Sequence, residues 1–147
     1  MLGRLARWLR ASGIDVRYDN WASDDQLIQI YLKEKRWIAT RDSGLMRRRV
    51  LQRAIFIESE TLEEQLKEFF EKTRPILDRN LLRPFSRCID CNKQLKAAAL
   101  DQVKPRVPPY VFQHHRVFKL CPGCDKIFWA GTHRDRIQAV LQKACPF

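Results

Sequence analysis

The sequence predicts an α/β fold, a parallel sheet flanked by helices, followed by a small β-rich module. Three features carry that prediction. Over residues 1–73, short apolar runs alternate with amphipathic helical patterns across short connections, the order of a parallel sheet wound with helices. The runs "IDVRY", "RWIAT" and "AIFIES" are rich in apolar residues, as strands covered by helices on both faces must be. Around "TRPILDRNLLRPFSR" the pattern breaks, and the rest of the chain offers only short strand-like pieces among paired cysteines, with one closing helix.

Each element has a local cause. "MLGRLARWLRASG" is an amphipathic helix ending near Gly13, with Leu2, Leu5, Trp8 and Leu9 as its apolar stripe and Arg4, Arg7 and Arg10 recurring at every third position. "IDVRY" is expected as a first strand, and "DNWASDD" as a polar turn. Ser23 N-caps the helix "DDQLIQIYLKEK", whose first turn holds Asp24 and Asp25. "RWIAT" is the second strand, "SGLMRRRVLQ" a short helix or turn, and "AIFIES" the third strand. Thr61 and Glu64 fit a capping box that opens the helix "LEEQLKEFFEK". Residues 74–87, with Pro75 and Pro84, form the boundary. Beyond it, "PPYVFQ", "RVFKL" and "KIFWAG" are expected as strands and "HRDRIQAVLQKA" as a helix, so that 88–147 makes one module.

The chain of 147 residues carries a formal charge of +11, unevenly placed. Residues 1–73 hold 14 basic and 12 acidic side chains, whereas residues 74–147 hold 14 basic and 5 acidic ones, a net of +9 for the second half. Such an excess favours polyanionic partners through phosphate neutralisation and counterion release. No apolar run approaches the roughly 18 residues of a membrane span. The basic, interrupted N-terminal segment does not fit a secretory core. The expectation is a cytoplasmic protein without a membrane partner.

Five cysteines without an export signal argue against a disulfide framework. Cys88 and Cys91 in "CIDC" and Cys121 and Cys124 in "CPGC" form two Cys-x-x-Cys pairs. Each tight turn aims two thiolates at one ion, and two such turns complete a tetrahedral sulfur shell for structural zinc. That shell has no open position for catalysis, and it replaces the core that a small, loop-rich module lacks. Cys145 is left over as a free thiol, and His114, His115 and His133 are ligands only if a cysteine is missing from the shell.

Asp24 and Asp25 open a helix after one expected strand, and Asp42 follows another. Ligand sites of parallel sheets gather beyond the carboxyl ends of the strands. Those carboxylates suit a hard divalent ion such as Mg²⁺ or Mn²⁺, or else simply cap their helices. Behind Asp42 stand Arg47, Arg48 and Arg49, which with Arg4, Arg7 and Arg10 make two basic clusters suited to holding phosphates. Tyr110, Phe112, Phe128 and Trp129 lie among basic residues, where they either stack bases or form a ribbon's small core.

The segments "MLGRLARWLRASGIDVRYDN", "SDDQL" and "TRDSGLMRRR", followed by "C-x-x-C … VPPYVF … C-P-G-C-x-x-x-F-W-x-G-T-H", closely resemble the PIN-like RNase family named after the C-terminal region of Mut-seven. The resemblance covers nearly the whole chain, in the same order. It implies a PIN-like α/β nuclease domain over 1–73, a linker over 74–87 and a zinc ribbon over 88–147. It also implies metal-dependent RNA phosphodiester hydrolysis at Asp24, Asp25 and Asp42 with Mg²⁺ or Mn²⁺. The RNA partner would be single-stranded or tRNA-like, with the ribbon aiding its binding. In that family a strand ending in an aspartate of the acidic site precedes the "MLGRLARWLR" helix. This sequence opens at the methionine, and a start upstream is expected to supply the strand. The alternative is a non-catalytic RNA-binding or ribosome-associated protein that keeps the fold.

Overall fold

The computed structural model describes residues 2–145. Helix α1 (Gly3–Ala11) is followed by α2 (Asp24–Glu34), strand β1 (Ile38–Thr40), the short helix α3 (Ser43–Met46), strand β2 (Ala54–Phe56) and helix α4 (Leu62–Lys72). β1 and β2 pair in parallel, with Ala39 opposite Ile55. Capping follows the sequence closely. Ser23 and Gln26 form a reciprocal capping box on α2, and the Thr61 hydroxyl accepts the Glu64 amide at the start of α4.

The second half contains β3 (Lys96–Ala97), α5 (Leu100–Val103), α6 (Pro109–His114), β4 (Phe118–Leu120) and β5 (Ile127–Trp129), and closes with α7 (Thr132–Ala144). Strands β3, β4 and β5 form an antiparallel sheet in that order. The architecture is thus mixed α/β, with a parallel pair among helices and a small antiparallel sheet beside the paired cysteines.

Two cores result. The larger joins Leu5 and Leu9 of α1, Ile55 and Ile57 around β2, Leu66, Phe69 and Phe70 of α4, and Ile137, Leu141 and Ala144 of α7. The smaller holds Val103, Val107, Val111 and Phe118, with Phe112 and Trp129 against it. Helix α7 therefore follows the ribbon in sequence but packs on α4, because Ile137, Leu141 and Ala144 recur at helical spacing and need a large apolar partner. Cys145, read as a leftover terminal thiol, is buried in the same core.

Two expected strands are absent. "PPYVFQ" is helix α6, which Pro109 opens at a position where its missing amide costs nothing. Residues 14–18 have no regular secondary structure and belong to no sheet. The Val16 backbone is met by side chains instead: Arg10 Nε donates to its carbonyl at 2.9 Å, and its amide donates to Asn92 Oδ1 at 3.0 Å. The free edge of β1 explains why. Ile38 and Thr40 bond toward β2, through Ile38 N to the Arg53 carbonyl and Ile57 N to the Thr40 carbonyl. Ala39 therefore directs its amide and carbonyl the other way. On that side lies a groove of about 570 Å³, lined by residues 14–20, residues 36–42 and apolar side chains of α1 and α2.

The chain turns sharply at Gly13, whose φ of +96° favours glycine, and a Cβ there would lie 2.5 Å from the Arg83 carbonyl oxygen. Beyond β2, the Glu68 carboxylate of α4 accepts the amides of Glu58 and Ser59 at 2.9 Å each and pairs with Lys72 at 2.7 Å. Burial opposes its charge, but these donors outweigh burial and hold its pKa at about 2. Because the folded value lies below the unfolded one, Glu68 contributes stability above the ordinary carboxylate range and loses it as pH falls toward about 2. Glu68→Gln is expected to cost about 1–2 kcal/mol in urea unfolding at neutral pH and close to nothing near pH 2. An equal loss at both pH values would exclude this role for the carboxylate.

Candidate metal centre and acidic groove

The four cysteines are set by two nearly identical knuckles. In the first, the Cys88 amide donates to the Lys93 carbonyl (2.8 Å) and the Asn92 amide to the Cys88 carbonyl (3.0 Å). In the second, the Cys121 amide donates to Lys126 (2.9 Å) and the Asp125 amide to Cys121 (2.9 Å). Asn92 and Asp125 adopt left-handed conformations, φ 69° and 62°, which Asn and Asp tolerate better than most residues. That matching Asn/Asp directly after each second cysteine was a signal for the knuckle that the Cys-x-x-Cys spacing alone does not carry. Gly123 is required by close approach, since a Cβ there would sit 2.8 Å from Lys93 Cγ and 3.2 Å from Cys91 Sγ.

The Sγ atoms of Cys88, Cys91, Cys121 and Cys124 all lie within 4.8 Å of one another. The pairs Cys88–Cys124 and Cys91–Cys121 are 3.6 and 3.2 Å apart. Sulfurs on tetrahedral zinc bonds of about 2.3 Å lie roughly 3.8 Å apart, whereas a disulfide needs about 2.05 Å. The donor set and spacing therefore fit zinc. No histidine is needed, because four thiolates close the shell.

Metal loading requires deprotonation, and the surroundings divide the thiols. Burial pushes Cys88 up to about 12. Burial also opposes the Cys121 thiolate, but the amides of Cys124 and Gly123 and the Cys91 side chain outweigh it and bring Cys121 down to about 7. Asp90, between the first pair, meets Arg7 at 3.1 Å and is also bonded by Lys126. With Arg10 these cations offset the net negative charge of a four-thiolate shell.

The predicted acids take less compact positions. Asp42 caps α3, its Oδ1 accepting the amides of Gly44 (2.6 Å) and Leu45 (3.1 Å), while Oδ2 stands outside those bonds. Asp24 and Asp42 both line the groove beside β1, at its polar rim with Asp19, Asn20 and Arg41. Asp25 is exposed and faces Arg48 Nη2, just beyond α3, at 3.5 Å. Among the described residues, the three aspartates do not form a set of mutually adjacent donors as the cysteines do.

The arginines divide in the same way. Arg4, Arg47 and Arg49 are exposed, with Arg47 bonded to Ser43. Arg7 is turned to Asp90. Arg10 corrects the expectation of a phosphate-facing side chain, being 6% exposed with its guanidinium on the carbonyls of Val16, Ile89 (3.1 Å) and Asp90 (2.8 Å). It lies on the face of α1 that the ribbon covers, which periodicity in one helix does not reveal. Of the ribbon aromatics, Phe112 and Trp129 pack on its core and Tyr110 is exposed.

The Mut7-C RNAse domain model matches residues 1–141. The chain belongs to that family. Comparison with curated proteins and with solved structures finds no match. Membership of the Mut7-C RNase domain family gives the chain a nuclease-like, RNA-related role, and among its described residues no helix is long and apolar enough to cross a membrane.

Zinc should bind at one ion per chain. Replacing it with Co²⁺ is expected to give the strong thiolate charge-transfer absorption of a four-sulfur tetrahedral site, and Cys121→Ser to lose that absorption and melt the ribbon. A Cys121→Ser chain with the wild-type spectrum and melting curve would exclude four-sulfur ligation.

Proposed function

We propose that this chain hydrolyses RNA phosphodiester bonds with Mg²⁺ or Mn²⁺ held at the rim of the groove, and that the zinc ribbon aids RNA binding. The observation that carries the reading is the presence of Asp24 and Asp42 on the rim of one groove, in a chain of the Mut7-C RNase family. Ions of this kind commonly take only one or two protein carboxylates, completing their shell with water and substrate phosphates. Asp42 has Oδ2 to offer while Oδ1 stays on the α3 amides. Asp24 is the second ligand and Asp25 stands beside it. When bound, the ion supplies an activated water and neutralises charge on the phosphoryl oxygens.

The side chains do the remaining work. Arg41 on the rim and Arg47, Arg48 and Arg49 behind it hold the phosphate chain across the acids. Arg48, just after α3, also meets Asp25 at the start of α2. Zinc at the ribbon has no part in the chemistry, because its shell is full.

A second reading is a fold-retaining RNA-binding protein without turnover, and the scattered placement of the three aspartates favours it. Cleavage of a labelled single-stranded RNA in Mn²⁺, compared between the wild type and Asp42→Asn, separates the two. Asparagine keeps the α3 cap but removes the charge, so cleavage is expected to fall by about a hundredfold or more with the fold intact. Salt-dependent RNA retention without cleavage by either protein would decide for the second reading.

A further inference from the structure

Arg10 is a buried cation whose bonds run to both halves of the chain. From the last turn of α1, its Nε reaches the Val16 carbonyl at 2.9 Å, and its Nη1 reaches the carbonyls of Ile89 at 3.1 Å and Asp90 at 2.8 Å. Ile89 and Asp90 are the two residues between Cys88 and Cys91. The next residue of the same knuckle returns the connection: Asn92 Oδ1 accepts the Val16 amide at 3.0 Å, and its Nδ2 donates to Asp15 Oδ1 at 2.7 Å. Arg87, just before the knuckle, lies 3.8 Å from Asp15 as well. The Val16 backbone is thus met by Asn92 of the ribbon and Arg10 of α1, and the Asp15 carboxylate by Asn92 and Arg87 of the ribbon.

We propose that Arg10 and Asn92 are positioning residues that transmit metal loading at the four cysteines to residues 14–20, and through them to the turn that carries Asp24 and Asp25. The physical basis is that the Arg10 bonds end on backbone carbonyls inside the knuckle. Those carbonyls, and the left-handed turn that places Asn92, are shaped by the short backbone bonds of the knuckle and would be held further by an ion that ties Cys88 and Cys91 to the second pair. A knuckle without metal loses that constraint, because protonated thiols form no bonds strong enough to tie the two Cys-x-x-Cys turns together. Arg10 then has two of its three acceptors on a mobile turn, and Val16 has its amide partner there too. Residues 14–20 line the groove and belong to no sheet. Outside the ribbon they are held by the Ile14 amide on Leu9 and by the ion pairs of Asp15 with Arg36 and Arg17 with Glu34, so the Val16 backbone is where the ribbon's hold is felt. Zinc would in this way set the order of the groove wall without touching the groove.

The coupling does not depend on the nuclease reading, since hydrogen exchange reads it with no RNA and no Mn²⁺ present. Amide exchange of the peptide spanning residues 12–22 is to be measured in the full chain with zinc bound and after its removal by a chelator. Zinc is expected to slow exchange there by about tenfold or more in the wild type. Arg10→Gln and Asn92→Gly are each expected to keep the Co²⁺ charge-transfer spectrum while losing most of that protection. Glycine suits the φ of +69° at position 92, so the second variant keeps the test valid if loss of the buried guanidinium unfolds α1. Equal zinc-dependent protection in the wild type and Asn92→Gly would overturn the proposal. So would wild-type exchange over residues 12–22 that is the same with and without zinc.

Discussion

The bonds from Arg10 to the carbonyls of Val16, Ile89 and Asp90 join the larger core to the cysteine knuckle, and with the packing of α7 on α4 they set the two halves against each other. A guanidinium at 6% exposure is costly unless its donors are met. Burial accordingly lowers the Arg10 pKa from its ordinary value, while the nearby Cys88, Cys91 and Asp90 work the other way. The helix that carries Arg10 is itself anchored by Leu5 and Leu9, each contributing about 1.5–3 kcal/mol by burial. One short helix therefore presents an apolar face to α4 and a charged face to the ribbon. The linker adds a second tie, with the Phe85 amide on the Ala11 carbonyl at 2.8 Å and Gly13 pressed against Arg83.

These internal uses change the meaning of the net charge. A charge of +11 reads at first as a surface for polyanions. Yet Arg7 and Lys126 meet Asp90, Arg87 meets Asp15, Arg106 meets Asp125, and Lys119 donates to the Phe85 carbonyl. Several cations of the basic half are thus partners of the knuckles and the linker. Among the exposed cations, Arg47, Arg48 and Arg49 stand together just after α3, a few residues beyond Asp42. Placement of charge, more than its sum, points to where RNA would lie.

Local chemistry made much of this fold legible. Ser23, Thr61 and Asp42 cap helices because their side-chain oxygens reach amides two or three residues on, a relation contained within a few residues of sequence. The Cys-x-x-Cys pairs are legible for the same reason. "IDVRY" was misread because a strand exists only beside a partner, and its neighbour here is a knuckle more than seventy positions away. "PPYVFQ" was misread because its aromatic and branched residues suit a strand, whereas Pro109 and the burial of Val111 set a short helix. Arg10 looked like its neighbours Arg4 and Arg7, and only the ribbon's position distinguishes them.

The groove is where those long-range relations meet. On one wall β1 offers Ala39 to an edge with no strand, and on the other residues 14–18 are held by side chains in place of a ladder. Backbone groups facing an apolar space need partners, so such a site is stable only while something fixed holds its walls. α3, capped by Asp42 and tied by Arg48 to Asp25, holds the end near the acids. The ribbon holds the end near Val16. The carboxylates at the rim thus stand between two supports, one built from ordinary helix capping and the other from a cysteine knuckle whose four-sulfur cluster fits zinc.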